Sequence, residues 1–187
     1  MKIIYFLHGY QSTGNKARSL MKFYEKNSEI TPVCWDWDEH LDIPKFLKEK
    51  AQEIKKSKLS GEVILMADSM GGNLAWTLIN HFPDLQYVLV NPAFCAEQIL
   101  DQNQILPEMR EKIFTATAEN IKNRNGRLVI SLFDKTLDST YYQQIFGEDL
   151  PVLKVPEEHN IPNFFDYMPE IHKLILNAFE CAKNKKL

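Results

Sequence analysis

The stretch EVILMADSMGGNLAWTL, residues 62–78, joins two patterns at one serine. Glu62–Ala67 is a continuous apolar run rich in β-formers, as expected of a strand covered on both faces. From Ser69 the chain reads as a helix to Phe82, ended by Pro83. A strand that turns this sharply into a helix needs small residues two before and two after the turning serine, the spacing G-x-S-x-G. Ala67 fills the first position, one methyl larger than glycine, and Gly71 the second. Such a turn presents the serine hydroxyl at the helix N-terminus, where the partial positive charge favours a developing anion. A plain N-cap serine satisfies part of this pattern. The strand before, the helix after and the Gly71-Gly72 pair favour an exposed nucleophile.

Outward from that turn, strand and helix patterns alternate. Lys2–Leu7, Thr31–Trp35, Gln86–Asn91, Arg127–Phe133 and Pro151–Val155 read as further strands. Lys16–Lys26, Pro44–Lys56, Ser139–Phe146 and Phe165–Ala182 carry apolar residues at helical spacing. Alternation of this kind predicts one α/β domain over residues 1–187, with a mostly parallel six-stranded sheet and helices on both faces. Residues 93–125 break the rhythm. They hold Phe94, Ile99, Leu100, Ile105, Leu106, Met109, Ile113 and Phe114, with Pro107 expected to separate two helices. Because the segment follows a strand's carboxyl end, it is placed to roof a ligand site as a short helical lid. Simple packing against the core is the competing expectation.

The chemistry expected of Ser69 needs partners. His8-Gly9-Tyr10 directly follows the first strand, and a glycine there lets backbone N–H groups turn inward. The N–H groups of Tyr10 and Met70 are the expected donors to an oxyanion, with Gly9 and Gly71 permitting the turns and His8 propping the loop. A serine needs a base and the base an orienter, in chain order Ser, Asp, His for this architecture. Asp134 follows the fifth strand and His159 the sixth, so Ser69, Asp134 and His159 form the candidate triad. Asp138 is the reserve acid, better explained as a turn or helix cap. His81, His172 and His40 are weaker candidates. Asp36, Asp38, Glu39 and His40 resemble a metal-ligand cluster, but a solvated loop explains them and no metal is expected. Gly9 and Gly14 have the spacing that opens a phosphate-binding loop, yet Asn15 stands where lysine is required and Lys16 where Ser or Thr is required.

Net charge is −3 with a pI near 6.0, so no nucleic-acid partner is expected. The 3 cysteines, Cys34, Cys95 and Cys181, form no CxxC or zinc spacing and read as free thiols of a reducing compartment. The first apolar run is too short for a secretory signal and no stretch suits a membrane span, which points to a cytoplasmic location.

YFLHGYQSTGNKA, DSMGGNLAWTL, LVNPAFCAEQIL, LFDKTLDSTYYQQ and PEEHNIPNF occur in this order. Together they resemble the YqiA-like small bacterial esterases of the α/β-hydrolase superfamily over nearly the whole chain. The resemblance implies an α/β-hydrolase fold, a Ser69-Asp134-His159 triad, no cofactor, and hydrolysis of short acyl esters. The alternatives are an acyl-CoA or acyl-carrier thioesterase with the same triad, and a non-catalytic binding protein of the same fold. The pattern departs from the family at Ala67, at Leu132-Phe133 before the acid, and at Glu157-Glu158 before the histidine, positions where glycines are usual.

Overall fold

A computed structural model of the chain describes residues 1–26, 29–101 and 107–184. Its strands are β1 (Lys2–Leu7), β2 (Ile30–Trp35), β3 (Glu62–Asp68), β4 (Gln86–Val90), β5 (Gly126–Ser131) and β6 (Val152–Val155). They form one sheet in the order β2-β1-β3-β4-β5-β6, and every pairing is parallel. The helices are α1 (Asn15–Tyr24), α2 (Ile43–Ser60), α3 (Ser69–His81), α4 (Pro107–Arg110), α5 (Tyr142–Phe146) and α6 (Met168–Asn184).

Alternate strand residues serve opposite faces, as the period of two requires. Ile3, Tyr5 and Leu7 of β1 join Val63, Leu65 and Ala67 of β3 in a core beneath α2 and α3. Ile4 and Phe6 join Ile64 and Met66 in a second core beneath α1 and α6. Both faces of the sheet are therefore dry, and the continuous apolar strands follow from that. Trp76 of α3 is fully buried among the rings of Tyr87, Phe94 and Phe146. Burial of a ring system of that size anchors α3 to the sheet.

The register aligns the carboxyl ends of the strands. Leu7 pairs with Trp35 and Ala67, Asp68 with Val90, and Ser131 with Val155. The turns that follow β1, β3, β4, β5 and β6 thus share one edge. The strand order reverses between β1 and β3, the switch point at which open α/β sheets form a crevice.

Residues 93–125 differ from the helical expectation. Their described part contains only a 3₁₀ turn at Ala96–Gln98 and the four-residue α4. Pro107 opens α4, a position where its missing N–H costs nothing. Residues 102–106, which include Ile105 and Leu106, lie outside the described residues. Side-chain amides replace helical hydrogen bonds here. Asn73 of α3 exchanges bonds with the backbone N–H and C=O of Phe114, and Asn80 with Lys122 N and Asn120 O. Asn123 Nδ2 donates to the carbonyls of Ile79, Phe82 and Leu85 at the end of α3. Phe94, Met109, Ala116 and Ile121 are buried in the same core as Trp76. The short α5 also departs from the expected Ser139–Phe146, because Asp138 closes a turn onto Thr140 first. No helix among the described residues is long and apolar enough to cross a membrane.

Asn123 closes the carbonyl end of α3, so its loss removes one donor from three carbonyls, of which that of Phe82 keeps a bond from Leu85 N. Asn123→Ala is expected to lower stability by about 2–3 kcal/mol, read as a lower urea midpoint with an unchanged slope. An unaltered midpoint would remove Asn123 from this role.

Candidate active site

Ser69 begins α3 with φ +52°. A serine in the left-handed region carries strain of about 1–3 kcal/mol, and such residues persist where surrounding packing dictates them. The packing is visible at Gly71 and Gly72. A Cβ on Gly71 would lie 2.2 Å from the His8 carbonyl oxygen and 2.5 Å from that of Leu7. A Cβ on Gly72 would come within 2.8 Å of the Pro92 ring. Helix α3 therefore starts in contact with the ends of both β1 and β4, and the Ser69 carbonyl accepts from Ala93 N at 3.0 Å. Ala67, where glycine is usual, is fully buried and sits in the core, so its methyl has a place. Asp68 rather than Ser69 occupies the N-cap.

His159 Nε2 lies 2.8 Å from Ser69 Oγ, and Nδ1 lies 2.7 Å from Asp134 Oδ2. With an ionised Asp134 as acceptor, Nδ1 carries the proton and Nε2 is free to accept the serine O–H. The Asp134 side chain is 2% exposed. Its Oδ1 accepts from the N–H groups of Thr136 and Leu137 at 2.8 and 2.9 Å, a local turn that aims Oδ2 at the imidazole. The structure brings together the three residues singled out from the sequence.

Asp138 stands elsewhere. Its Oδ1 binds the N–H and O–H of Thr140, so it closes a turn and does not orient His159. Leu132 and Phe133 replace the expected glycine without disturbing the acid, because their N–H groups continue the β6 pairing onto Val155 and Glu157. Glu157 accepts from the Tyr167 hydroxyl and Glu158 from Lys135, so neither carboxylate is directed at the imidazole by these bonds. His8 Nδ1 lies 2.7 Å from Gly9 O, and its Nε2 accepts from Trp37 N at 3.3 Å. Those bonds tie the His8 ring to the turn after β1 and to Trp37. His172 meets the Tyr24 hydroxyl between α1 and α6, and His81 is exposed at the end of α3. Among the described residues no three ligating side chains come together to hold a metal ion.

Two residues escaped the sequence reading of the site. Asn91, at φ +41°, accepts from Ser131 N and donates to Ser131 Oγ and to the His159 carbonyl. It ties the ends of β4 and β5 to the histidine loop. An asparagine just before a proline at a strand end was the available signal, since asparagine tolerates positive φ. Lys16 is the other, and it forms a buried ion pair with Asp68.

A cleft of about 620 Å³ covers Ser69 and His159. Tyr10 and Met70, the expected oxyanion donors, line it together with Gly9. Gln11, at φ +50°, bends the same loop around the cleft mouth. A larger groove of about 750 Å³ lies between α2 and α3, with mainly apolar walls. Cys95 is buried, and burial pushes its thiol above the usual range, so it makes a poor nucleophile.

No family model and no curated protein sequence matches the chain. Solved structures do. Est1E from Butyrivibrio proteoclasticus, with ferulic acid bound, superposes with a TM-score of 0.73 at 12% identity, over 96% of this chain and 89% of that one. The mouse alpha/beta hydrolase domain-containing protein 10 gives 0.63 at 16% identity, over 94% and 90% of the chains. The chain has the α/β-hydrolase fold. A structure from work on LipS and LipT, metagenome-derived lipolytic enzymes, gives 0.66 at 10% identity, over 94% and 93%. Within the α/β-hydrolase fold, the contacts described above are this chain's own.

The start of α3 tests how tightly the elbow is built. Gly71→Ala would press a methyl into two backbone carbonyls and is expected to cost about 2–3 kcal/mol, read by chemical denaturation. A variant as stable as the parent would show that the close approach is absent.

Proposed function

We propose that this protein is a serine hydrolase of carboxylic esters bearing short acyl groups. The observation that carries the reading is the continuous hydrogen-bonded chain Asp134–His159–Ser69 at the floor of an open cleft. Ser69 Oγ attacks the ester carbonyl while His159 Nε2 takes its proton. Asp134 holds the imidazole tautomer and stabilises the imidazolium that forms. The backbone N–H groups of Tyr10 and Met70 receive the oxyanion. His159 returns the proton to the departing alcohol, leaving an acyl group on Ser69. Water, deprotonated by the same histidine, then releases the acid.

The cleft supports short acyl groups. Among the described residues, segment 93–125 reaches the cleft only through Ala93 and Ile99. That is a short apolar wall, whereas a fatty acyl chain needs an extended apolar trench. Leu137, Met70 and Pro162 add short apolar contacts, and Gln11, Ser12, Thr13 and Asn160 add polar ones, so polar and apolar groups share the rest of the lining.

A fluorophosphonate probe should label Ser69, and the protein should hydrolyse p-nitrophenyl butyrate. Ser69→Ala should abolish labelling and lower turnover by about 10⁴-fold or more. Equal hydrolysis by both proteins would dismiss Ser69 as the nucleophile. A wild type that is neither labelled nor active on esters or thioesters would mark the fold as a binding scaffold. Asp134→Asn should lower kcat by about 10⁴-fold, while Asp138→Asn should change it little. The reverse ranking would assign the acid to Asp138.

A further inference from the structure

The cleft holds a second pair of charges that the triad does not use. Lys16 Nζ, on the first turn of α1, lies 3.0 Å from Asp68 Oδ1 and 3.1 Å from Oδ2. The two side chains are 8% and 6% exposed, and both residues line the cleft. Oδ2 accepts a hydrogen bond from Lys16, whereas Oδ1 has the charge contact without a hydrogen bond. Asp68 immediately precedes Ser69 and occupies the N-cap of α3, yet its side chain makes no capping bond. It lies instead against the turn after β1. A Cβ on Gly9 would meet Ser69 Cβ at 3.1 Å and Asp68 Oδ2 at 3.2 Å.

An uncompensated carboxylate at this place opposes acyl transfer twice. It would sit beside the turn that carries the Tyr10 N–H, where the reaction places a negative oxygen, and like charges repel strongly in a dry site. It would also favour the protonated form of His159, which cannot act as base. We propose that Lys16 is a positioning residue that neutralises Asp68, so that an oxyanion and a neutral imidazole can both exist on this elbow. The inference rests on the reading of Ser69 as nucleophile. Asp68 in return holds the start of α1, and with it the loop from Gly9, against the elbow.

The other charged and titratable groups around the site are otherwise engaged. Asp134 binds His159 Nδ1, His8 bonds to Gly9 and Trp37, and Glu157 and Glu158 bind Tyr167 and Lys135. Arg18, at the exposed rim, donates to the Thr13 carbonyl. Only Lys16 touches Asp68 with a positive charge among the described residues.

The test is kcat/KM against pH for p-nitrophenyl butyrate with four proteins: wild type, Lys16→Met, Asp68→Asn and the double variant, each verified as folded by circular dichroism. Lys16→Met should be the slowest, with its acid limb moved to higher pH. Removing the carboxylate as well should restore activity at least about tenfold over Lys16→Met. Asp68→Asn should move the acid limb to lower pH. A double variant no faster than Lys16→Met would overturn the proposal and leave the pair as a mechanical tie. Removing a buried cation's partner role is costly, and Lys16→Met alone is the variant most exposed to misfolding. If it does not fold, the remaining pair decides: the limb should return toward the wild-type position from Asp68→Asn to the double variant. An identical limb in both would overturn the inference. A wild type neither labelled by the fluorophosphonate nor active on esters or thioesters, or one matched by Ser69→Ala, would instead remove the nucleophile reading and this inference with it.

Discussion

Helix α3 begins within touching distance of two backbone carbonyls, those of Leu7 and His8, and Gly71 is the residue that allows it. Much of the rest depends on that approach. It brings the turn after β1 against the turn after β3 at the sheet's switch point, and it holds Ser69 at a positive φ. A strained serine is retained only where its neighbours leave no alternative. Here the neighbours are Pro92 behind Gly72, the Ala93 N–H on the Ser69 carbonyl, and the buried Trp76 that fixes the helix to the sheet.

Asp134 and His159 arrive from the far side of the sheet by a different device. Asp134 is held by two backbone N–H groups of its own turn and is nearly withdrawn from water. Its free oxygen therefore has one direction in which to point, and His159 stands there. Asn91 then clamps the carbonyl of His159 to the ends of β4 and β5. Preorganised polar groups of this kind favour chemistry because little rearrangement is needed when charge develops. The Lys16–Asp68 pair belongs to the same economy of charge. It places a carboxylate one residue from Ser69 and pairs it with a lysine from a neighbouring helix.

Residues 93–125 show where local pattern and tertiary structure part. Their apolar content suggested helices, yet few residues are helical. Segments of this kind pack without regular structure only if their backbone groups find other partners. Asn73 and Asn80, both on α3, supply those partners, and Asn123 of the segment itself reaches back to the carbonyls at the end of α3; asparagine carries both a donor and an acceptor for the purpose.

Strand and helix periods, the Ala67–Gly72 turn and the chain order of Ser69, Asp134 and His159 were legible in the sequence because each is a local pattern, or a local pattern repeated at the end of a strand. From these the parallel sheet and the alignment of its carboxyl ends follow. That Asp134 and not Asp138 meets His159 was not legible, since both are turn-forming aspartates and only the fold decides which oxygen meets the imidazole. Asn91 and the Lys16–Asp68 pair depended wholly on tertiary structure. Their partners lie 40 to 68 and 52 residues away along the chain, and no periodicity encodes a contact between side chains brought together only when separate strand ends share one edge.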